Sequence, residues 1–324
     1  MMKLPLVRHS RLHLPSKKLA INLRDLVTRV ADRGMIKIFI NIFNHPLTKH
    51  RRLATLAKVL WWKFNQLFFH LPTIVKITDD FSIICNPGSS LGNFIVYTQW
   101  PEYSETQFLL RYLMANDVYI DVGAHIGSTL LPAASKITNR KLFGFEPTPD
   151  IFAQLLTNIR LNNLASRVLV FPQAVSHKNS RQQFVVEKRA EISHLANNDD
   201  NLSRLVVTTI KLDTFVSQRR ITKINLLKID TEGAELQVLQ GARRLLDQHR
   251  IEIILFEVSN HLQRYGSNIF QLLNLIEKYQ LQLFVFDREK LRPLTAEQFK
   301  FRQTTNLLAA LKTKSVHNRL RSFF

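Results

Sequence analysis

YIDVGAHIG, Tyr119 to Gly127, is followed nineteen residues past Gly127 by Glu146, the acid that closes KLFGFEP. A glycine turn at the end of an apolar strand lets a ligand approach the backbone, because glycine accepts positive φ and carries no Cβ. An acid closing the next strand accepts hydrogen bonds from a ribose diol. The pairing predicts a nucleoside site at the carboxyl ends of strands in an α/β sheet.

Glycine spacing separates two kinds of nucleoside ligand. A dinucleotide fingerprint requires G-x-G-x-x-G, with the pyrophosphate resting on a helix N-terminus. Here Gly123 and Gly127 are four apart, Ala124, His125 and Ile126 lie between them, and the strand carries Asp121 at its mouth. A carboxylate there repels a pyrophosphate but suits the ammonium and sulfonium charges of S-adenosylmethionine. The plainer alternative is a tight turn after a buried strand, with Asp121 at the surface.

INLLKIDTEGAE, Ile224 to Glu235, repeats the pattern of apolar strand, charged strand end and turn, followed by a helix through Leu236, Leu239 and Leu245. Ligands of open α/β sheets sit beyond the carboxyl ends of the strands, so Asp121, Glu146 and Asp230 are expected to face one crevice. Glu232 and Glu235 have a second explanation, since acids favour the positive end of the following helix.

YIDVGAHIG, GFEPTPDIFAQLLTNI, LDTF at Leu212 to Phe215, LLKIDTEGAELQVLQGA and IILFEVS together resemble the FkbM family of S-adenosylmethionine-dependent methyltransferases, over approximately Glu102 to Asp287. The resemblance implies a Rossmann-like class I α/β core of seven strands, mostly parallel with one antiparallel edge strand and with helices on both faces. It implies methyl transfer to a hydroxyl of a sugar, glycan, glycolipid or secondary metabolite. It places Asp121, Gly123, His125 and Gly127 at the methionine end of the cofactor and Glu146 at the ribose. Glu102 falls beside the cofactor, with Glu105 as its rival, and Asp230 and Glu232 beside the transferring methyl. Many relatives carry Asn where this chain has His125. Glu257 and His261 are candidates for the acceptor pocket, and Asp230, Glu232 and then His261 are the candidate bases. No Cys and His spacing reads as zinc, and no metal is assigned.

The 324 residues carry 45 Lys and Arg against 25 Asp and Glu, a formal charge of +20. Residues 1–76 hold 15 of the basic residues and only 2 of the acids, so the excess belongs mainly to an N-terminal extension. The expected organisation is a basic, partly helical extension at 1–76, a methyltransferase domain at 77–290 and a C-terminal segment at 291–324 packing on or trailing from it. Within the extension, Leu53, Leu56, Ala57, Leu60, Trp61, Phe64, Leu67, Phe68 and Leu71 recur at helical spacing as an apolar stripe. Such a helix either packs on protein or lies in a membrane interface against anionic headgroups. Lys58 and Lys63 oppose a transmembrane span.

MMKLPLVRHSRLHLPSKK lacks the apolar run of a secretory signal and reads as a basic arm or targeting stretch. The single Cys85 excludes an internal disulfide and reads as a small buried hydrophobe. These features suggest a cytoplasmic protein, with a peripheral position at the inner membrane face open through the basic helix. The charge raises RNA as an alternative acceptor. Against it, the basic residues cluster outside the core, and neither an RNA-binding module nor an N-P-P-Y-type motif is present. A non-catalytic binding protein that keeps the fold is the third alternative, against which stand the retained acidic site residues.

Strands are predicted at Phe81–Cys85, Phe94–Tyr97, Val168–Phe171, Gln183–Glu187, Val206–Leu212, Ile224–Ile229, Glu252–Val258 and Leu281–Phe286. Helices are predicted at Glu105–Met114, Asp150–Asn162, Leu236–His249 and Ile269–Tyr279. Their alternation defines a parallel α/β sheet. The stretch Lys188 to Ser203 has no period and is expected to be a loop over the site.

Overall fold

The computed structural model describes residues 42–100, 102–186, 194–195, 203–301 and 303–324. In chain order its strands are β1 (Thr73–Lys76), β2 (Ser82–Cys85), β3 (Tyr119–Val122), β4 (Leu142–Phe145), β5 (Val168–Phe171), β6 (Gln173–Val175), β7 (Ser180–Val186), β8 (His194–Leu195), β9 (Ser203–Ile210), β10 (Ile224–Ile229), β11 (Ile251–Val258), β12 (Leu281–Asp287), β13 (Lys290–Leu294) and β14 (Thr305–Leu311). The main sheet runs β13-β12-β14-β11-β10-β3-β4-β5, with β5, β4, β3, β10 and β11 mutually parallel. Every residue of β3, β4 and β10 is buried, as expected of parallel strands covered on both faces.

Two expectations about this sheet need correction. The antiparallel strand is not at an edge: β14 lies between β11 and β12 and is antiparallel to both. Its core is LLAAL, five buried apolar residues that an exposed edge would leave wet. The segment 291–324 therefore supplies an interior strand, and β13, antiparallel to β12, adds an eighth strand at the edge. The chain turns one way from β3 through β4 to β5 and later the other way from β10 to β11. The crevice opens beyond β3 and β10, where the order reverses.

Phe94–Tyr97 is not a strand. It lies in helix α2 (Ser90–Thr98), which follows α1 (Arg52–Phe64) in the chain and is capped by Ser89 accepting from the Gly92 amide. The hairpin partner of β2 is β1, upstream of it. The predicted Leu236–His249 helix is broken into Glu235–Gln240 and Arg243–Asp247. Gly241 sits where a Cβ would come within 2.1 Å of the Ser176 carbonyl oxygen. Asp213, from the LDTF motif, accepts from the Arg244 and Leu245 amides and so starts the second piece. A second sheet, β6-β9-β7-β8, stands beside the first. Of Lys188–Ser203, only His194–Leu195 and Ser203 belong to the described residues, and β8 pairs with Phe184 and Val185 of β7. The basic arm expected over the first 18 residues lies outside the described residues.

Hairpin strand β2 shows how the N-terminal elements join the core. Its free edge meets the helix Pro149–Leu161 and its C-cap Asn162 instead of another strand. Asn158 Oδ1 accepts from the Ile84 amide at 2.9 Å, and Gln154 Nε2 donates to the Ile84 carbonyl at 2.8 Å. Asn162 both accepts from and donates to the Ser82 backbone at 2.8 Å. These three side chains are four residues apart, so they form one row on one helical face. Asn158, fully buried, also donates to the Ile126 carbonyl at 2.9 Å. Asn158→Leu strips a partner from the Ile84 N–H and the Ile126 carbonyl together. Two orphaned backbone groups are expected to cost about 2–4 kcal/mol in urea unfolding.

Candidate active site

The crevice encloses about 250 Å³ and gathers residues from four strand ends. At its floor is Lys228, which is 4% exposed and sits in register with Asp121 across the β3–β10 pair. Its Nζ is 2.8 Å from Asp230 Oδ2 and 3.5 Å from Glu102 Oε2. Burial opposes its charge, but the carboxylates of Asp230 and then Glu102 raise the ammonium's pKa well above its ordinary value. Glu102 is pushed up to about 7, first by burial, against the pull of Lys228. Glu105, its rival, accepts instead from Asn306 at 3.1 Å and does not line the crevice.

On the opposite wall, Glu146 is held at both oxygens by backbone amides. His125 N–H donates to Oε2 at 3.2 Å and Thr148 N–H to Oε1 at 2.8 Å. Burial nevertheless raises its carboxyl to about 7. Between the two walls runs Gly123, with φ +87°, in a turn fixed by Phe145 O accepting from the Gly123 and Ala124 amides. A Cβ on Gly123 would come within 1.8 Å of the Asp230 carbonyl oxygen. Glycine is therefore required for β3 and β10 to close upon each other at the crevice.

A third group lies beyond β11. Glu232 lines the crevice in the left-handed region, φ +53°, and its Oε2 is 2.6 Å from His261 Nδ1. The preceding turn is fixed by Glu235, whose Oε1 accepts from the Thr231 and Gly233 amides at 3.0 and 3.1 Å. Glu235 is thus a buried turn-holder, as its alternative explanation held. Glu257 joins Glu232 and His261, with one ligand-type atom of each lying within 4.8 Å of the others. Burial first, and then the nearby Asp230 and Glu232, push its carboxyl up to about 9. Both influences favour its neutral form, which can donate a hydrogen bond.

Of the residues expected at the site, Glu102, Gly123, His125, Glu146, Asp230, Glu232 and Glu257 line the crevice. Asp121 does not. It is fully buried behind the wall, where Oδ2 accepts from Thr129 Oγ1 at 2.7 Å. Gly127 is also outside, and its φ of +95° and tight packing on Leu131 and Leu155 make it a turn position. His261 reaches the crevice through Glu232. Lys228, Leu91, Phe184 and Tyr265 line the crevice without having been expected there. Lys228 was legible as a charge inside an apolar strand. The other three are apolar residues whose position depends on which elements fold over the sheet. Cys85 is fully buried, and burial pushes its thiol up to about 12.

A doubly wound sheet with glycine turn and acids at its switch point defines a Rossmann-like class I methyltransferase. The chain belongs to the FkbM methyltransferase family, whose domain, described as Methyltransferase FkbM domain, matches residues 121–283. Among curated relatives it is 27% identical to the hexuronic acid methyltransferase AglP of Haloferax volcanii, over 47% of this chain and 61% of that one. It is 28% identical to the 31-O-demethyl-FK506 methyltransferase FkbM of Streptomyces tacrolimicus, over 48% and 75%. The crystal structure of Methyltransferase FkbM from Methylobacillus flagellatus aligns with a TM-score of 0.40 at 18% identity, over 68% of this chain and 52% of that one.

Lys228→Met leaves Glu102 and Asp230 facing each other without their cation. The variant is expected to lose about 3 kcal/mol of stability at pH 8. Without Lys228 to lower it, Glu102 holds its proton at higher pH than in the parent, where it sits at about 7, so the loss should shrink as the pH is lowered from 8 to 5.5 and the parent protonates too. Denaturation curves at both pH values check the size and the sign.

Proposed function

We propose that this chain transfers a methyl group from S-adenosylmethionine to a hydroxyl of a small-molecule or glycan acceptor. The observation that carries the reading is one crevice with a carboxylate held by two amides on one wall and a Glu–His pair on the other. S-adenosylmethionine, when bound, supplies an electrophilic methyl on sulfur. The residues fit it. Glu146 offers its oxygens to a ribose diol, Leu91, Phe145, Ile151 and Val175 give an apolar wall for a base, and Glu102 with Asp230 outnumbers Lys228 in charge beside a cationic ligand. A small-molecule or glycan acceptor is in keeping with the hexuronic acid named for AglP, and transfer to oxygen with the 31-O position named for the Streptomyces FkbM.

The protein's task is to bring an acceptor oxygen close and aligned and to take its proton. Asp230 is already committed to Lys228, so the proton goes to the Glu232–His261 pair, in which the carboxylate faces the crevice and the imidazole backs it. Glu257, whose neutral form burial and the neighbouring carboxylates favour, donates a hydrogen bond that orients the acceptor. Glu232→Gln is expected to lower kcat by about 10²–10⁴-fold while cofactor affinity stays within a few-fold. Calorimetric titration with S-adenosylmethionine alongside turnover on candidate sugars separates the two effects. Unchanged turnover in this variant would remove Glu232 from the mechanism.

A pH series tests the ribose acid. A ligand that needs the ionised form of a group with a raised pKa binds more weakly below that pKa, and Glu146 sits at about 7. S-adenosylhomocysteine affinity is therefore expected to rise about tenfold from pH 6 to pH 8 and to level off above. Glu146→Gln should bind weakly throughout and flatten most of that slope. A protein that is well folded and binds neither sulfur ligand would overturn the methyltransferase cofactor assignment.

A further inference from the structure

Helix α1 and the π turn after it, Asn65–Phe69, have two faces of opposite fate. Thr55, Val59, Trp62 and Asn65 are buried against the protein, with Trp62 Nε1 donating to Asn93 Oδ1 of α2 at 2.6 Å. The broad apolar stripe seen in the sequence is not this face. Leu53, Leu60, Trp61, Phe64, Phe68 and Phe69 stand 51–85% exposed. Of the fifteen large hydrophobic residues exposed among those described, nine fall between Leu53 and Ile74. Phe64 holds the aromatic group together, with ring centroids 4.6 Å from Phe68 and 5.6 Å from Phe69. An apolar patch of this density marks an interaction surface.

Charge identifies the partner. From Ile42 to Thr78 the chain carries Lys49, Arg51, Arg52, Lys58, Lys63 and Lys76 and no Asp or Glu. We propose that this face seats the protein on an anionic lipid bilayer. Aromatic rings and leucines enter the headgroup boundary while lysines and arginines at its rim meet lipid phosphates. A second copy of the chain is a poor occupant, since two-fold pairing would press two acid-free basic surfaces together. The preceding 41 residues are no better matched in charge, with nine basic residues against two acids. The seat is one helix from the crevice, because α2, clamped to α1 through Asn93, also contributes Leu91 to the crevice wall.

Sedimentation of the full chain with vesicles tests this. Binding to phosphatidylcholine vesicles containing phosphatidylglycerol is expected to exceed binding to phosphatidylcholine alone by about tenfold or more and to fall with salt. The double variant Phe68→Ser, Phe69→Ser should lose about tenfold in vesicle binding. Its circular dichroism and thermal midpoint should match the parent, since both rings are exposed. Phe270→Ser, 69% exposed but outside the patch, should bind vesicles as the parent does. Absence of binding to the anionic vesicles would overturn the proposal, and so would full binding by the double variant. It would equally fail if that variant turned a dimer into a monomer in ultracentrifugation without changing vesicle binding. Duplex RNA held more tightly than the vesicles through the same two rings would overturn it in favour of nucleic acid.

Discussion

One buried ammonium organises this molecule. Lys228 occupies the penultimate position of a strand whose every residue is buried, so its charge needs partners within reach. Asp230 comes from the same strand end and Glu102 from the approach to the helix Tyr103–Tyr112. The cation thus ties the central strands to an element preceding the sheet. The same arrangement leaves more carboxylate than ammonium at the crevice floor, and the fold's charge requirement and the proposed ligand's charge are met by the same atoms.

The crevice is only partly a product of the central sheet. Its deep wall comes from the ends of β3, β4 and β10, which the backbone register fixes. Its outer wall comes from elsewhere: Leu91 from α2, Phe184 from the small sheet and Tyr265 from the turn after β11. Phe184 packs with Ala174 and Val207 in a minor cluster joined by Tyr265. The outer wall is therefore built from separately supported pieces, whereas the deep wall shares one sheet. Substitutions at Phe184 or Tyr265 change the outer wall without touching the strand register beneath it.

Much of the crevice's deep wall was legible in the sequence because its signals are local. A positive-φ glycine after an apolar strand and an acid closing the next are read within single segments, and Gly123, Glu146 and Asp230 do meet in one crevice. Asp121 is set back from the crevice lining. It lies in the strand, whose successive side chains alternate faces, and Thr129 draws its carboxylate inward. The α1 stripe misled for a different reason. Leu, Trp and Phe cover so much of that helix that periodicity could not tell the face against the protein from the face away from it, and Thr55 and Asn65 lie on the buried one. Phe94–Tyr97 is apolar enough for either element, and the cap at Ser89 settled it as helix. The place of β14 required long-range pairing that no local pattern encodes.

That last strand has a consequence for how the protein is made. Among the described residues β14 is the last strand in sequence, yet it fills the gap between β11 and β12. While the chain emerges from the ribosome, those two strands have no partner on their facing edges until residues 305–311 arrive. Open, apolar strand edges are templates for pairing with other chains. Non-local pairings of this kind close slowly. A nascent or prematurely terminated chain ending before Thr305 thus presents two further open edges, on β11 and β12, that the finished sheet closes. The time for which the edges of β11 and β12 stand open is therefore set by when that strand inserts.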